Sequence, residues 1–123
     1  MTCRGCQPTR WAGGRAWPAD YGYIRRTVSN EGPDEAVDCF VGPERDSDKA
    51  FVINHFKRDG SFEEHKILFG YPTAHAAISD YEDAYQDWAS VHPGRTVAFA
   101  FSLPKLKEWL DHGDCTRPIM RTA

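Results

Sequence analysis

The sequence predicts an α+β domain, strands first and helices after, on three observations. Between residues 20 and 71 the apolar residues come in short β-branched or aromatic runs (DYGYI, VDCFV, AFVINHF, ILFGY) separated by turn residues. From residue 73 the period changes, and Ala77, Tyr81, Ala84, Tyr85 and Trp88 recur at helical spacing. A second helical pattern, LPKLKEWLDHG, ends the patterned part of the chain behind one more strand-like run, TVAFAF. Strands grouped ahead of helices argue against a repeating βαβ fold.

The bounds agree with a single domain. A chain of 123 residues can bury a real core. Its 41% apolar and 27% charged content is ordinary for a globule. The formal net charge of −3 argues against direct nucleic-acid binding and against binding to an anionic membrane. No apolar run approaches bilayer-spanning length, so a cytoplasmic protein with its four cysteines reduced is expected. Arginines near both ends (Arg4, Arg10, Arg15, Arg117, Arg121) leave the middle acidic.

Taken in order, residues 1–16 lack any period and are rich in Gly, Arg and Pro, so they read as an irregular N-terminal arm. The domain proper is placed at residues 17–112. Residues 20–24 form its first strand, and an acidic loop carrying Glu31, Asp34, Glu35 and Asp38 follows. Residues 37–41 read as a short buried strand stopped by Gly42-Pro43. Residues 50–56 alternate as a strand, Asp59-Gly60 signals a hairpin, and residues 67–71 return. Thr73 caps the long helix, expected to reach about residue 89, and Ser102 caps the last one, which Gly113 ends. Residues 113–123 are expected to be a tail.

Two clusters carry chemistry. Acids at the mouth of a strand, beside Tyr21 and Tyr23, suit a hard divalent cation and the phosphate oxygens it holds. A solvated acidic turn is the plainer alternative on that segment alone. Cys3 and Cys6 form half of a zinc or redox motif, and His112 with Cys115 supplies a second half. Four such ligands would hold Zn²⁺ and tie the termini together; free thiols on two loose ends are the alternative. His55, His75 and His92 lack companions at ligand spacing and are expected to be structural or exposed, and His65 is expected at the surface.

Several of these motifs, in this order, resemble soluble inorganic pyrophosphatases, most closely the versions encoded by phages and mobile elements. The matching stretches are ADYGYI at residues 19–24, VD at Val37-Asp38, FVGP at residues 40–43, and EEHK at residues 63–66 with Gly70 after the strand. The resemblance spans roughly residues 17–109. It implies a small, strongly curved antiparallel sheet or partial barrel of OB type, with two C-terminal helices packed on it. It also implies Mg²⁺-dependent hydrolysis of pyrophosphate or a related phosphoanhydride, in the cytoplasm of an infected bacterial host.

Carried over position by position, the resemblance makes Asp38 the metal-bridging aspartate and puts Glu31 and Asp34 at the other two loop acids. Asp59 and Glu64 match a second acidic pair of Mg²⁺ ligands, with Lys66 as their lysine. Tyr21 and Tyr85 match phosphate-contacting tyrosines, and Arg10 approximates an upstream phosphate-binding arginine. The sequence also departs from the pattern. Its loop, EGPDEAVD, is two residues longer than the family's DGDPVD, Gln86 stands where a phosphate-binding lysine is usual, and the family's N-terminal strand is not evident.

Two functions therefore stay open. One is the Mg²⁺-dependent phosphohydrolase. The other is a phage counter-defence protein that reuses the scaffold, for instance an anti-CRISPR-type inhibitor whose acidic surface occupies a basic groove on a host defence protein.

Overall fold

Strand propensity and tight turns dictate most of what the computed structural model contains. It describes residues 3–7, 20–24, 27–30, 32, 35–44 and 46–120, with residues 3–7 and residue 20 described by backbone alone. The elements are β1 (Cys3–Gln7), β2 (Asp20–Ile24), β3 (Val37–Val41), β4 (Lys49–Phe56) and β5 (Phe62–Phe69). They continue with α1 (Ala74–Ala84), α2 (Gln86–Val91), β6 (Ala98–Ser102) and α3 (Leu103–His112). Among the described residues the strands make one open sheet in the order β1-β2-β3-β5-β4-β6.

The α+β class holds, with two differences. The sheet is mixed, because β3 and β5 run parallel, Cys39 opposite Ile67 and Val41 opposite Phe69. All other pairings are antiparallel. Residues 3–7, expected within an irregular arm, form an edge strand on β2, with Cys3 opposite Ile24. CRGCQ has no alternation and few strand formers, so it is the partner edge rather than propensity that makes it extended.

Period-two alternation sends side chains to two cores. Ala50 and Val52 of β4, Ile67 of β5 and Cys39 of β3 pack on one face against Leu106 and Trp109 of α3. Phe51 and Ile53, Leu68 and Phe40 pack on the other face against Ala77, Tyr81 and Trp88 of α1 and α2. The helices thus cover opposite faces of the sheet. Both expected caps are present, the Thr73 side chain accepting from the Ala76 amide and Ser102 from the Lys105 amide.

Residues 113–120 are not a loose tail. Ile119 is buried in the α3-side core, and its peptide is clamped by Asn54, whose Oδ1 accepts from the Ile119 amide at 2.8 Å while Nδ2 donates to its carbonyl at 2.7 Å. Cys39 is disulfide-bonded, which overturns the expectation of four reduced thiols; Cys115 is free.

The ends of the parallel pair depend on two glycines. The Gly42 amide donates to the Phe69 carbonyl and the Glu44 amide to the Gly70 carbonyl, both at 2.8 Å. Gly70 has φ +76°, and a Cβ there would sit 2.9 Å from the Gly42 carbonyl oxygen. Gly60, at φ +92° in the β4–β5 turn, has open space around the same position. Gly70→Ala is therefore expected to cost about 2–3 kcal/mol, against about 1 kcal/mol for Gly60→Ala, which carries the conformational cost alone. Equal losses in urea unfolding would show that the close approach of the two backbones contributes nothing.

Candidate functional site

The site grows from the parallel pair. Glu64, Lys66 and Leu68 alternate onto the α1–α2 face of β5, and Asp38 and Phe40 do the same on β3. Tyr21 of β2 pairs in register with Phe40 and meets its ring edge-on, at 5.2 Å between centroids. That packing turns the phenol toward Asp38, to whose Oδ2 it donates at 2.7 Å.

Lys66 is the centre, and it is 4% exposed. Its Nζ lies 2.9 Å from Asp38 Oδ2 and 3.4 Å from Glu64 Oε1, and it donates to the Tyr21 hydroxyl at 3.1 Å. The ammonium also stands 5.7 Å from the Tyr21 ring centroid and 5.5 Å from that of Tyr85. Burial works against its charge, but Tyr85, Tyr21, Asp38 and Glu64 together outweigh it and hold the Lys66 pKa well above the usual lysine value. Glu64, only 2% exposed, is compensated by the same ammonium.

Tyr85 reaches the cluster because the long helix breaks there. Its φ of −116° and ψ of 51° end α1 and begin α2, so the periodic run predicted as one helix is two. Burial raises the pKa of both Tyr21 and Tyr85, with the Lys66 charge opposing it. Both phenols therefore remain O–H donors at neutral pH.

A second layer supports the first. His55 of β4 lies on this face, 8% exposed, with Nδ1 hydrogen-bonded to the Tyr81 hydroxyl and Nε2 3.2 Å from Glu63 Oε2. Its ring sits 4.6 Å from the Tyr85 ring and fixes that side chain from behind. Burial, helped by the Lys66 charge, lowers the His55 pKa to about 4. His55 and Glu63 belong to the cluster although they carried no expected role. The available signal was alternation, which puts residue 55 on the face of Phe51 and Ile53. A register shift between His55 and Phe56 then brings Glu63 to the ring.

The other expected residues fall elsewhere. Asp59 is exposed in the β4–β5 turn, where Oδ1 accepts from the Ser61 amide and hydroxyl, and these bonds lower its pKa. Gln86 is exposed and donates to Asp83 at 2.8 Å. Arg10, Glu31 and Asp34 lie outside the described residues; Asn30, next to Glu31 in sequence, donates to the Glu63 carbonyl at 3.0 Å. Of the zinc set, His112 is exposed at the end of α3 and Cys115 half-buried, while the side chains of Cys3 and Cys6 are outside the description. Among the described residues no three His, Cys, Asp or Glu side chains form a group that could hold a metal ion. His65 points away from the cluster as expected, but it is buried against Trp109, at 4.7 Å between ring centroids, rather than at the surface.

Comparison with known proteins adds one match. The family model described as Inorganic Pyrophosphatase matches residues 4–111. No curated protein and no solved structure matches the chain.

Proposed function

The chain belongs to the inorganic pyrophosphatase family, and from that premise we propose that it hydrolyses pyrophosphate or a related phosphoanhydride in a Mg²⁺-dependent reaction at the Lys66 cluster. The observation that carries this reading is the convergence of Lys66, Asp38, Glu64, Tyr21 and Tyr85 on one sheet face. Expressed as a balance, one water adds to phosphorus, the bond to the bridging oxygen breaks, and two orthophosphates leave.

The donor chemistry decides how far Mg²⁺ fits. Asp38 and Glu64 offer hard carboxylate oxygens, and Asp38 Oδ1 makes no hydrogen bond among the described residues. One or two carboxylates with substrate phosphate oxygens are an ordinary Mg²⁺ environment. The described acids suit such a single ion and do not by themselves suit a cluster of several. One ammonium against two carboxylates also leaves the site net anionic, hostile to a polyanion. A bound Mg²⁺, held by Asp38 with Glu64, would reverse that sign and polarise the phosphoryl oxygens.

The chain's own groups do the rest. Lys66 balances charge that develops on the leaving phosphate, in a setting where burial strengthens the interaction. Tyr85, kept protonated, donates to a phosphate oxygen without adding negative charge, and Tyr21 does the same by exchanging its bond to Asp38 for one to phosphate. His55 and Tyr81 hold Tyr85 in place.

The expected result is orthophosphate release from pyrophosphate by the purified chain with Mg²⁺, reduced to background by a chelator and restored by re-addition. Release unaffected by the chelator would contradict the metal dependence, and none under either condition would remove the hydrolase reading.

A further inference from the structure

We propose that a cavity beside the β4–β5 turn binds a planar aromatic ring carrying one negatively charged group. The cavity holds about 520 Å³, in the range that takes small organic ligands. It shares no lining residue with the Lys66 cluster and does not depend on pyrophosphate turnover. Its walls bring together Phe56 of β4, Trp88 of α2, Phe99 of β6, and His92, Arg95 and Val97 from the segment after α2.

Two features define the ligand. The first is a set of flat walls: the Trp88 and His92 rings lie 4.9 Å apart at 38°, and His92 is fixed by a hydrogen bond of 3.1 Å between Nε2 and the Arg58 carbonyl. That bond ties the end of α2 to the hairpin, so the aromatic surface is in place before any ligand arrives. Such a surface suits another planar ring.

The second feature is charge. Arg95 is exposed in the wall, and among the described residues no carboxylate pairs with its guanidinium. An arginine beside aromatic rings recognises a phosphate or carboxylate on a ring-bearing molecule. A nucleotide and a simple aromatic acid share the required chemistry.

The test is calorimetric titration of the full chain with AMP as the probe. Adenosine (ring without anion), ribose 5-phosphate (anion without ring) and benzoate are run in parallel. Saturable AMP binding is expected, with adenosine and ribose 5-phosphate roughly tenfold weaker or more. Arg95→Glu should weaken AMP by a similar factor, and Val97→Trp should block it by filling the space; both positions are exposed, so the variants should fold. Benzoate binding with the same sensitivities would support the proposal and assign the site to aromatic acids. Ribose 5-phosphate binding as tightly as AMP would overturn it. So would AMP binding unchanged in both variants, or no saturation by AMP or benzoate up to about 5 mM. Neither variant touches the Lys66 cluster, so pyrophosphate turnover reads independently of cavity binding.

Discussion

Replacing Lys66 by methionine should lower the unfolding free energy by about 3–5 kcal/mol at neutral pH. Methionine fills nearly the same volume, so little of the loss comes from packing. It comes from Glu64, 2% exposed, and from Asp38, both left without the ammonium that lies within 3.4 Å of each. Two buried or half-buried carboxyls facing one another must then desolvate without compensation. Adding Glu64→Gln to the variant should recover part of the loss, because the remaining carboxylate no longer faces a like charge. Urea unfolding of the parent, the single and the double variant measures this. A Lys66→Met protein within about 1 kcal/mol of the parent would mean that the cluster is not held by its cation.

Acid should unfold the protein through two histidines on opposite faces of the sheet. Burial lowers the pKa of His55 and of His65 from the ordinary 6.5 to about 4. His55 faces Lys66, Asp38 and Glu63, while His65 faces Asp114 and the Arg117 backbone. Between those limits the unfolded chain holds more protons than the native one, so stability falls as pH falls. The contribution is complete above about pH 6.5 and is lost as pH drops toward 4, on the order of 3 kcal/mol for each histidine. Together that rivals the whole stability of a small domain. The urea midpoint should therefore hold steady from pH 8 to 7 and drop steeply from 6.5 to 4.5. His65→Phe, which cannot protonate against Trp109, should flatten that slope by about half. A midpoint flat across the window would show both rings free to charge in place.

What the sequence disclosed, and what it withheld, follows from which forces are local. Alternation and turn chemistry located β2, β3, β4 and β6, the end of β5, the Asp59-Gly60 hairpin and the Thr73 and Ser102 caps, because each is decided within a few residues. Partner choice is not local. Nothing in VDCFV or FEEHKILF says that the two strands lie side by side and parallel, and nothing in CRGCQ says that it lies on an edge. The helix break at Tyr85 was hidden because helical spacing continues through it, from Tyr81 to Trp88. Ile119 was missed because one apolar residue in an irregular run carries no period.

The site divides in the same way. Tyr21, Asp38, Glu64, Lys66 and Tyr85 come together because strand alternation puts the sheet residues on the α1–α2 face. Asp59 departs from them because a turn position gives it the local Ser61 amide to cap. His55 was invisible as a lone histidine and becomes meaningful only when its partners Tyr81 and Glu63, 26 and 8 residues away in sequence, are placed.

The most direct test of the hydrolase account compares orthophosphate release from pyrophosphate by the parent chain and by Asp38→Asn, with saturating Mg²⁺ and with urea unfolding of both run alongside. Asparagine keeps the size and the Tyr21 contact but removes the charge that a metal would need. Glu64 remains to neutralise Lys66, so stability should fall by only about 1–3 kcal/mol and the variant should stay folded. The account predicts Mg²⁺-dependent release by the parent and loss of roughly a hundredfold or more in the variant. A folded Asp38→Asn protein that turns over like the parent, or a parent that releases no phosphate above background, would contradict it.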